Sequence, residues 1–322
     1  MKSYVMVTGG DGFIGLNLCE YLSKKYRVIN IDNNRLKSNF RKNLGYKNFR
    51  CSIGNKKKIS KILKKYKPLA IYNLAAESHV DNSIKSPLPF IKNNINETIK
   101  FLDVIRKNKD DLNKKFRLIH MSTDEVYGSI NKSSKKLFKE ESILKPNSPY
   151  SSSKAAIDLI IRSYVKTYSL PIIIVRCCNN FGPYQHYEKL IPKIIHNAKN
   201  KIDIPIYDKG MQVREWIYVK DTVKLLVEIF KKGKISEIYN IGSSIRVTNI
   251  FLVNNILKVI AKKNNQNLSN FSTLIKFVKD RPAHDFKYAV STKKIGKIIK
   301  LNKKYNFINK LKMTINWYLK HL

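Results

Sequence analysis

Three features of the sequence predict an α/β fold: a Rossmann-like doubly wound parallel sheet followed by a smaller C-terminal α/β domain. Short apolar runs alternate with longer amphipathic stretches through the first half of the chain. A glycine-rich turn, Gly9-Gly10-Asp11-Gly12-Phe13-Ile14-Gly15, joins the first run to the first amphipathic stretch. An acid, Asp32, closes the second run about 20 residues further on.

The runs at 4–8, 28–31, 70–74, 118–121 and 172–175 read as parallel strands buried on both faces. Between them, 13–25, 56–65, 89–106 and 150–168 read as helices, which implies right-handed crossovers. The second half is less regular. Pro183, Pro192, Pro205 and Pro282 punctuate it, and the polar stretch 262–272 reads as a loop. The division expected is a dinucleotide-binding domain over 1–176, to which 214–242 returns, and a second domain over 177–322 that is mainly substrate-binding.

The 322 residues include 63 basic and 23 acidic ones, a formal net charge of +40. Such a balance suits a nucleic-acid binder, but only 11 of the basic residues are arginine. The lysines are scattered in pairs and triplets such as Lys56-Lys57-Lys58, with no tail or arginine stripe to read base edges. Lys, Asn and Ile share AT-rich codons, so compositional bias accounts for the charge and no nucleic-acid partner is expected. The surplus would still attract an anionic substrate. Cys19, Cys51, Cys177 and Cys178 form no CxxC pair and no zinc spacing, so neither a disulfide nor a metal is expected. With no apolar run of about 18 residues and no leader segment, the expected location is the cytoplasm.

The glycines at 9, 12 and 15 let backbone N–H groups approach a pyrophosphate at a helix N-terminus, with Phe13 and Ile14 in its first turn. Asp32 then suits the ribose hydroxyls of NAD and would repel the 2′-phosphate of NADP. Tyr150 and Lys154 form a Y-x-x-x-K pair, which a helix places on one face. A neighbouring ammonium favours the phenolate, so Lys154 is expected to lower the Tyr150 pKa and make it a usable base. Taken alone, this pair also reads as a solvated helix face. Thr123-Asp124-Glu125 sits at the carboxyl end of a strand, where ligands bind in open α/β sheets. Its two carboxylates read either as an exposed turn or as an acid/base pair with separated pKa values.

Taken together, the segments TGGDGFIG (8–15), NLAAESHVDNSI (73–84), STDEVYG (122–128), SPYSSSKA (148–155), NNFGPY (179–184), REWIYVKD (214–221) and DRPAHD (280–285) resemble the extended short-chain dehydrogenase/reductases. More narrowly, they resemble the dTDP-glucose 4,6-dehydratase family. The resemblance spans nearly the whole chain, and the Thr-Asp-Glu triplet is its most specific part. It implies a lyase that uses NAD to convert a nucleoside-diphosphate glucose to the 4-keto-6-deoxy sugar of deoxysugar biosynthesis. In the implied mechanism, Tyr150, helped by Thr123 and Lys154, removes the 4-hydroxyl proton while NAD takes the C4 hydride. Glu125 removes the C5 proton, Asp124 protonates the departing 6-hydroxyl, and the hydride returns to C6. It further implies that Lys154 holds the nicotinamide ribose, that Ala75 and Ala76 let the chain pass close to the cofactor, and that Asn94 lines the same groove. Ser78, Asn180, Lys189, Leu190, Arg214, Arg281, His284 and Tyr288 match positions around the nucleotide sugar. A homodimer built on the stretches from Pro89 and from Tyr150 is implied as well.

The chain departs from the family pattern at Asn33-Asn34-Arg35-Leu36, at Asn82 for a usual Arg, and at Ala283 for a usual Gly. Cys51-Ser52-Ile53-Gly54 stands where relatives place an acid for the adenine. These departures leave the nucleotide open, with UDP-glucose or another nucleotide sugar as alternatives. A nucleotide-sugar epimerase or decarboxylase, or a non-catalytic NAD-binding protein, would not call for the paired acids.

Overall fold

The computed structural model describes residues 2–33, 45–301 and 305–321. Asn34, Arg35 and Leu36 lie outside them. The chain begins β1 (Tyr4–Thr8), α1 (Phe13–Ser23), β2 (Arg27–Asp32), β3 (Lys47–Arg50), α2 (Lys56–Tyr66) and β4 (Ala70–Asn73). It continues with α3 (Val80–Lys85), α4 (Leu88–Phe90), a π-helical segment (Ile91–Asn96), α5 (Glu97–Lys107), β5 (Arg117–Thr123), α6 (Pro149–Tyr168) and β6 (Ile172–Cys177).

The second half holds β7 (Asn179–Phe181), α7 (Leu190–Lys199), β8 (Ile204–Tyr207), β9 (Val213–Tyr218), α8 (Val219–Lys232) and β10 (Ile238–Ile241). After these come β11 (Arg246–Thr248), α9 (Asn249–Lys263), α10 (Ser269–Ser272), β12 (Ile275–Val278), α11 (Lys293–Gly296) and α12 (Phe307–His321).

The doubly wound sheet predicted from the sequence is present, with seven parallel strands in the order β10-β6-β5-β4-β1-β2-β3. Strand order reverses between β1 and β4, and there the helices on either side diverge and open a crevice above the strand ends. One face of the sheet is covered by α1 and α8 through Leu18, Leu22, Val223 and Leu226. The other is covered by α2, α5 and α6 through Ile59, Leu63, Phe101, Ile105, Ile157 and Ile161. A third core, with Ile194, Trp216, Leu252, Ile256, Leu311 and Ile315, belongs to the second half. Two small sheets lie there, β11-β9-β7 and β12-β8.

Two expectations fail in detail. The stretch 89–106 is not one regular helix, because the π-helical segment interrupts it. The stretch 262–272 is not all loop: it contains the end of α9 and all of α10, whose Phe271 is buried in the third core. Among the described residues, no helix is long and apolar enough to cross a membrane.

α6 carries the Y-x-x-x-K pair, and its start is fixed locally. Ser148 caps the helix, its hydroxyl accepting the Ser151 N–H at 3.1 Å while Ser151 Oγ accepts the Ser148 N–H at 3.0 Å. Pro149 follows at the first helical position, where a missing N–H costs nothing. This reciprocal cap contributes about 1 kcal/mol and sets the helical phase that turns Tyr150 and Lys154 inward.

Candidate active site

β1 ends in Gly9, whose φ of +71° suits glycine. A Cβ there would lie 2.9 Å from the Ala75 backbone, so the turns after β1 and β4 touch. At Gly15 a Cβ would lie 2.1 Å from the Gly9 carbonyl oxygen, so α1 packs directly on the turn. Gly12 caps α1 without a side chain, and the first N–H groups of the helix, at Phe13 and Ile14, face the crevice. Asp32 Oδ2 accepts the Asp11 N–H at 3.1 Å and lines the same cavity with Ala75 and Ala76. These groups fit a dinucleotide: backbone donors for its pyrophosphate and a carboxylate for its ribose.

Asn94 corrects an expectation. It is buried behind the groove, not lining it. Its Oδ1 accepts the Glu77 N–H at 2.8 Å, and its Nδ2 donates to Glu77 O at 3.0 Å and to Ser153 Oγ at 2.9 Å. The π-helical segment places this amide where it clamps the turn after β4 to α6.

The crevice opens into a cleft of about 570 Å³ lined by Thr123, Asp124, Glu125, Tyr150 and Lys154. The Thr123 hydroxyl meets the Tyr150 phenol and also accepts the Glu125 N–H at 3.2 Å. Asp124 is 1% exposed, and its Oδ2 has no partner among the described residues. Burial, then Glu125 and Glu215, hold its carboxyl well above the usual range, which favours the protonated form. Burial also raises Glu125, but the nearby cations Arg214, Arg281 and Lys189 oppose this. The two acids thus have separated environments, as an acid/base pair requires.

The expected effect of Lys154 on Tyr150 is absent. Burial, Glu125 and Asp124 push the phenol up, with only the Thr123 bond pulling it down. The Lys154 ammonium instead donates to Met121 O at 2.6 Å, and burial lowers its pKa to about 8 against the opposing pull of Asp158.

The eight residues expected on the substrate side all line this cleft. Lys189 reaches the Ser78 carbonyl at 2.8 Å, and Leu190 opens α7. Asn180 is held by Thr222 and by the Cys178 carbonyl. Arg214 donates to the carbonyls of Val213, Asp285 and Phe286 and stacks 4.5 Å from the Tyr288 ring centroid. Arg281 pairs with Asp81 at 2.6 Å. His284 meets Asp280 at 2.6 Å, yet burial and the arginines pull it down to about 4, so it is neutral at pH 7. Reading the sequence missed Asp81, Lys193 and Tyr207, which also line the cleft. They lie on separate elements, and no spacing links them. Among the described residues, no cluster of His, Cys, Asp and Glu could hold a metal ion.

A dinucleotide crevice continuous with a Tyr-Lys helix and a buried acid pair defines the extended short-chain dehydrogenase/reductase class, in the branch that eliminates water. The profile of the GDP-mannose 4,6 dehydratase family matches residues 6–314. The chain is 38% identical over 330 residues to the dTDP-glucose 4,6-dehydratase of Haemophilus influenzae, covering 98% of this chain and 97% of the relative. It is 38% identical over 338 residues to that of Escherichia coli, covering 98% and 93%. Among solved structures, the dTDP-glucose 4,6-dehydratase of Bacillus anthracis in complex with NAD superposes with a TM-score of 0.83 at 35% identity, covering 99% of this chain and 97% of that one. The Streptomyces venezuelae enzyme, also with NAD bound, gives 0.84 at 32% identity, covering 98% and 97%. The chain belongs to the GDP-mannose 4,6 dehydratase family and, within it, groups with the dTDP-glucose 4,6-dehydratases.

Proposed function

We propose that this protein is a NAD-dependent hydro-lyase that converts dTDP-glucose to its 4-keto-6-deoxy product. The observation that carries the reading is the buried acid pair Asp124–Glu125, with one carboxyl held well above its usual range and the other facing cations, beside Tyr150. NAD, held by the glycine turn, Asp32 and Lys154, supplies the acceptor for the C4 hydride and later its return to C6. Tyr150 takes the 4-hydroxyl proton as its phenolate, the form that the cationic nicotinamide of bound NAD would favour against the burial that raises the phenol, with the Thr123 hydroxyl held against it. The 4-ketone so formed acidifies the C5 proton, which Glu125 removes as Asp124 protonates the 6-hydroxyl. Water leaves. Of the protons then held by Tyr150 and Glu125, one goes to C5 and the other restores Asp124. Arg214, Arg281 and Lys189 supply the positive charge that suits a nucleoside diphosphate.

The cofactor domain in this reading is 1–176 with α8 and β10, and the rest binds the nucleotide sugar. The protein works in the cytoplasm as a homodimer. Leu88, Ile91 and Leu159 are large apolar side chains exposed on α4, the π-helical segment and α6, the face such a pairing would cover. Sedimentation at moderate salt tests this, and a monomer at micromolar concentration would rule it out. The function is tested by incubation with dTDP-glucose, UDP-glucose, CDP-glucose and GDP-mannose in parallel. A 4-keto-6-deoxy product should form fastest from dTDP-glucose, and no product from any of them refutes the proposal.

A further inference from the structure

The dinucleotide crevice continues past Asp32 to a wall made of Cys51, Ser52 and Ile53, which follow β3, and of Glu97, the first residue of α5. Strand order sets the order of the subsites. β1 ends in the glycine turn, β2 beside it ends at Asp32, and β3 beside that runs into Cys51. The Cys51 N–H donates to the Asp32 carbonyl at 3.0 Å, so the last two strand ends are level. A dinucleotide with its pyrophosphate on the turn and its ribose at Asp32 therefore lays its base over the end of β3.

A carboxylate waits there, brought by a helix from the other side of the crevice. The Ser52 hydroxyl donates to Glu97 Oε2, and the Lys100 ammonium donates to Oε1 at 2.8 Å. Ser52 Oγ accepts the Gly54 N–H at 3.0 Å, which commits the hydroxyl proton to the acid. Any side chain at Gly54 would strike the carboxylate. Burial raises the Glu97 pKa, but the bonds from Lys100 and Ser52 outweigh it and keep the group below the ordinary glutamate value. An ionised carboxylate only accepts hydrogen bonds. Adenine offers its 6-amino group as a donor, whereas a 6-oxo purine would place an oxygen against the acid.

We propose that Glu97, positioned by Ser52, accepts the hydrogen bond of the adenine 6-amino group and selects adenine dinucleotides over 6-oxopurine ones. This rests on the NAD reading above. It assigns the adenine contact to α5, although the turn after β3 carries no acid.

The test is dialysis of the protein against equal concentrations of NAD and nicotinamide hypoxanthine dinucleotide, followed by acid release and chromatography of what is retained. The wild type should hold NAD in about ten-fold excess or more, the discrimination expected of one hydrogen bond to a charged group. Glu97→Gln, whose amide can donate to an oxygen, should lose most of that preference. It should also retain more of the hypoxanthine dinucleotide than the wild type does, a gain that misfolding cannot produce. Ser52→Ala should narrow the preference by a smaller factor and Ser52→Thr should restore it. A wild-type ratio in Glu97→Gln, or no preference in the wild type, overturns the proposal. Retention of neither dinucleotide by the wild type overturns the NAD reading and this proposal with it.

Discussion

Asp124 and Glu125 are adjacent in the chain but face opposite electrostatic surroundings. Asp124 has Glu125 and Glu215 as its strongest charged neighbours, whereas Glu125 has Arg214, Arg281 and Lys189. Thr123 creates this division by capping the 3-10 turn that follows β5, which sends the two side chains different ways. In the proposed reaction this contrast would divide the labour of elimination, with Asp124 giving a proton and Glu125 taking one.

Glu125→Gln is therefore expected to block the reaction after its first step. The alcohol is still oxidised, because Tyr150 and Thr123 are unchanged, but the C5 proton has no acceptor. Turnover should fall by about 10²–10⁴-fold while reduced cofactor builds up on the protein. Near-ultraviolet absorbance after mixing with dTDP-glucose checks this. Normal turnover, or loss of activity without reduced cofactor, would assign the C5 proton to another group.

Gly15→Ala should separate cofactor binding from the rest of the fold. The added methyl group would sit 2.1 Å from the Gly9 carbonyl oxygen, and that backbone has no flexible end to yield. Either α1 tilts away or the turn deforms, and both displace the N–H groups at its start. The expected outcome is a folded protein, by circular dichroism, that retains at least about ten-fold less NAD. Wild-type retention would show that the turn adapts.

Strands β1, β4 and β6 were legible in the sequence because burial on both faces leaves nearly unbroken apolar runs. The edge strand β3 was not. Its sequence, Lys-Asn-Phe-Arg, exposes three of four residues and buries only part of Phe49. The π-helical segment was invisible for a different reason. It serves Asn94, whose partners Glu77 and Ser153 come from other elements, and no local periodicity encodes that. The same contrast divides the site. Thr123-Asp124-Glu125 and Tyr150-Lys154 are local words, readable because one strand end or one helix turn carries each. Glu97 and Tyr207 reach the crevice only through the tertiary fold, and Asp81, although inside the segment 73–84, meets its partner Arg281 only across 200 residues of chain.

Asp158 and Arg176 should anchor stability as well as chemistry. They pair at 2.9 Å with side chains 0% and 2% exposed, and Arg176 also reaches the Tyr127 hydroxyl and the Glu140 carbonyl. Removing one partner leaves the other charge buried without a counterion. Asp158→Ala is expected to cost about 3–5 kcal/mol, read as a lower urea midpoint with an unchanged slope. A loss under 1 kcal/mol (roughly the value of a surface pair) would mean that Arg176 finds another acceptor.

Lys154 is expected to set the alkaline limit of the proposed activity. Burial lowers its pKa to about 8, with Asp158 as the opposing influence. Below that pH the ammonium is present and, in the proposed reaction, would hold a ribose hydroxyl of the cofactor; above it the charge is lost. Activity should accordingly fall as pH rises through about 8. Asp124 points the same way, because a donor with a raised pKa also stops donating as pH rises. Two variants tell the two groups apart. In Lys154→Arg the cation cannot be titrated in this range, so any residual activity should extend to higher pH. In Asp158→Asn the support for the ammonium is gone, so the alkaline limit should move below that of the wild type. The readout is the pH profile of kcat/KM for dTDP-glucose. An alkaline limit that stays fixed in both variants would assign it to Asp124 instead.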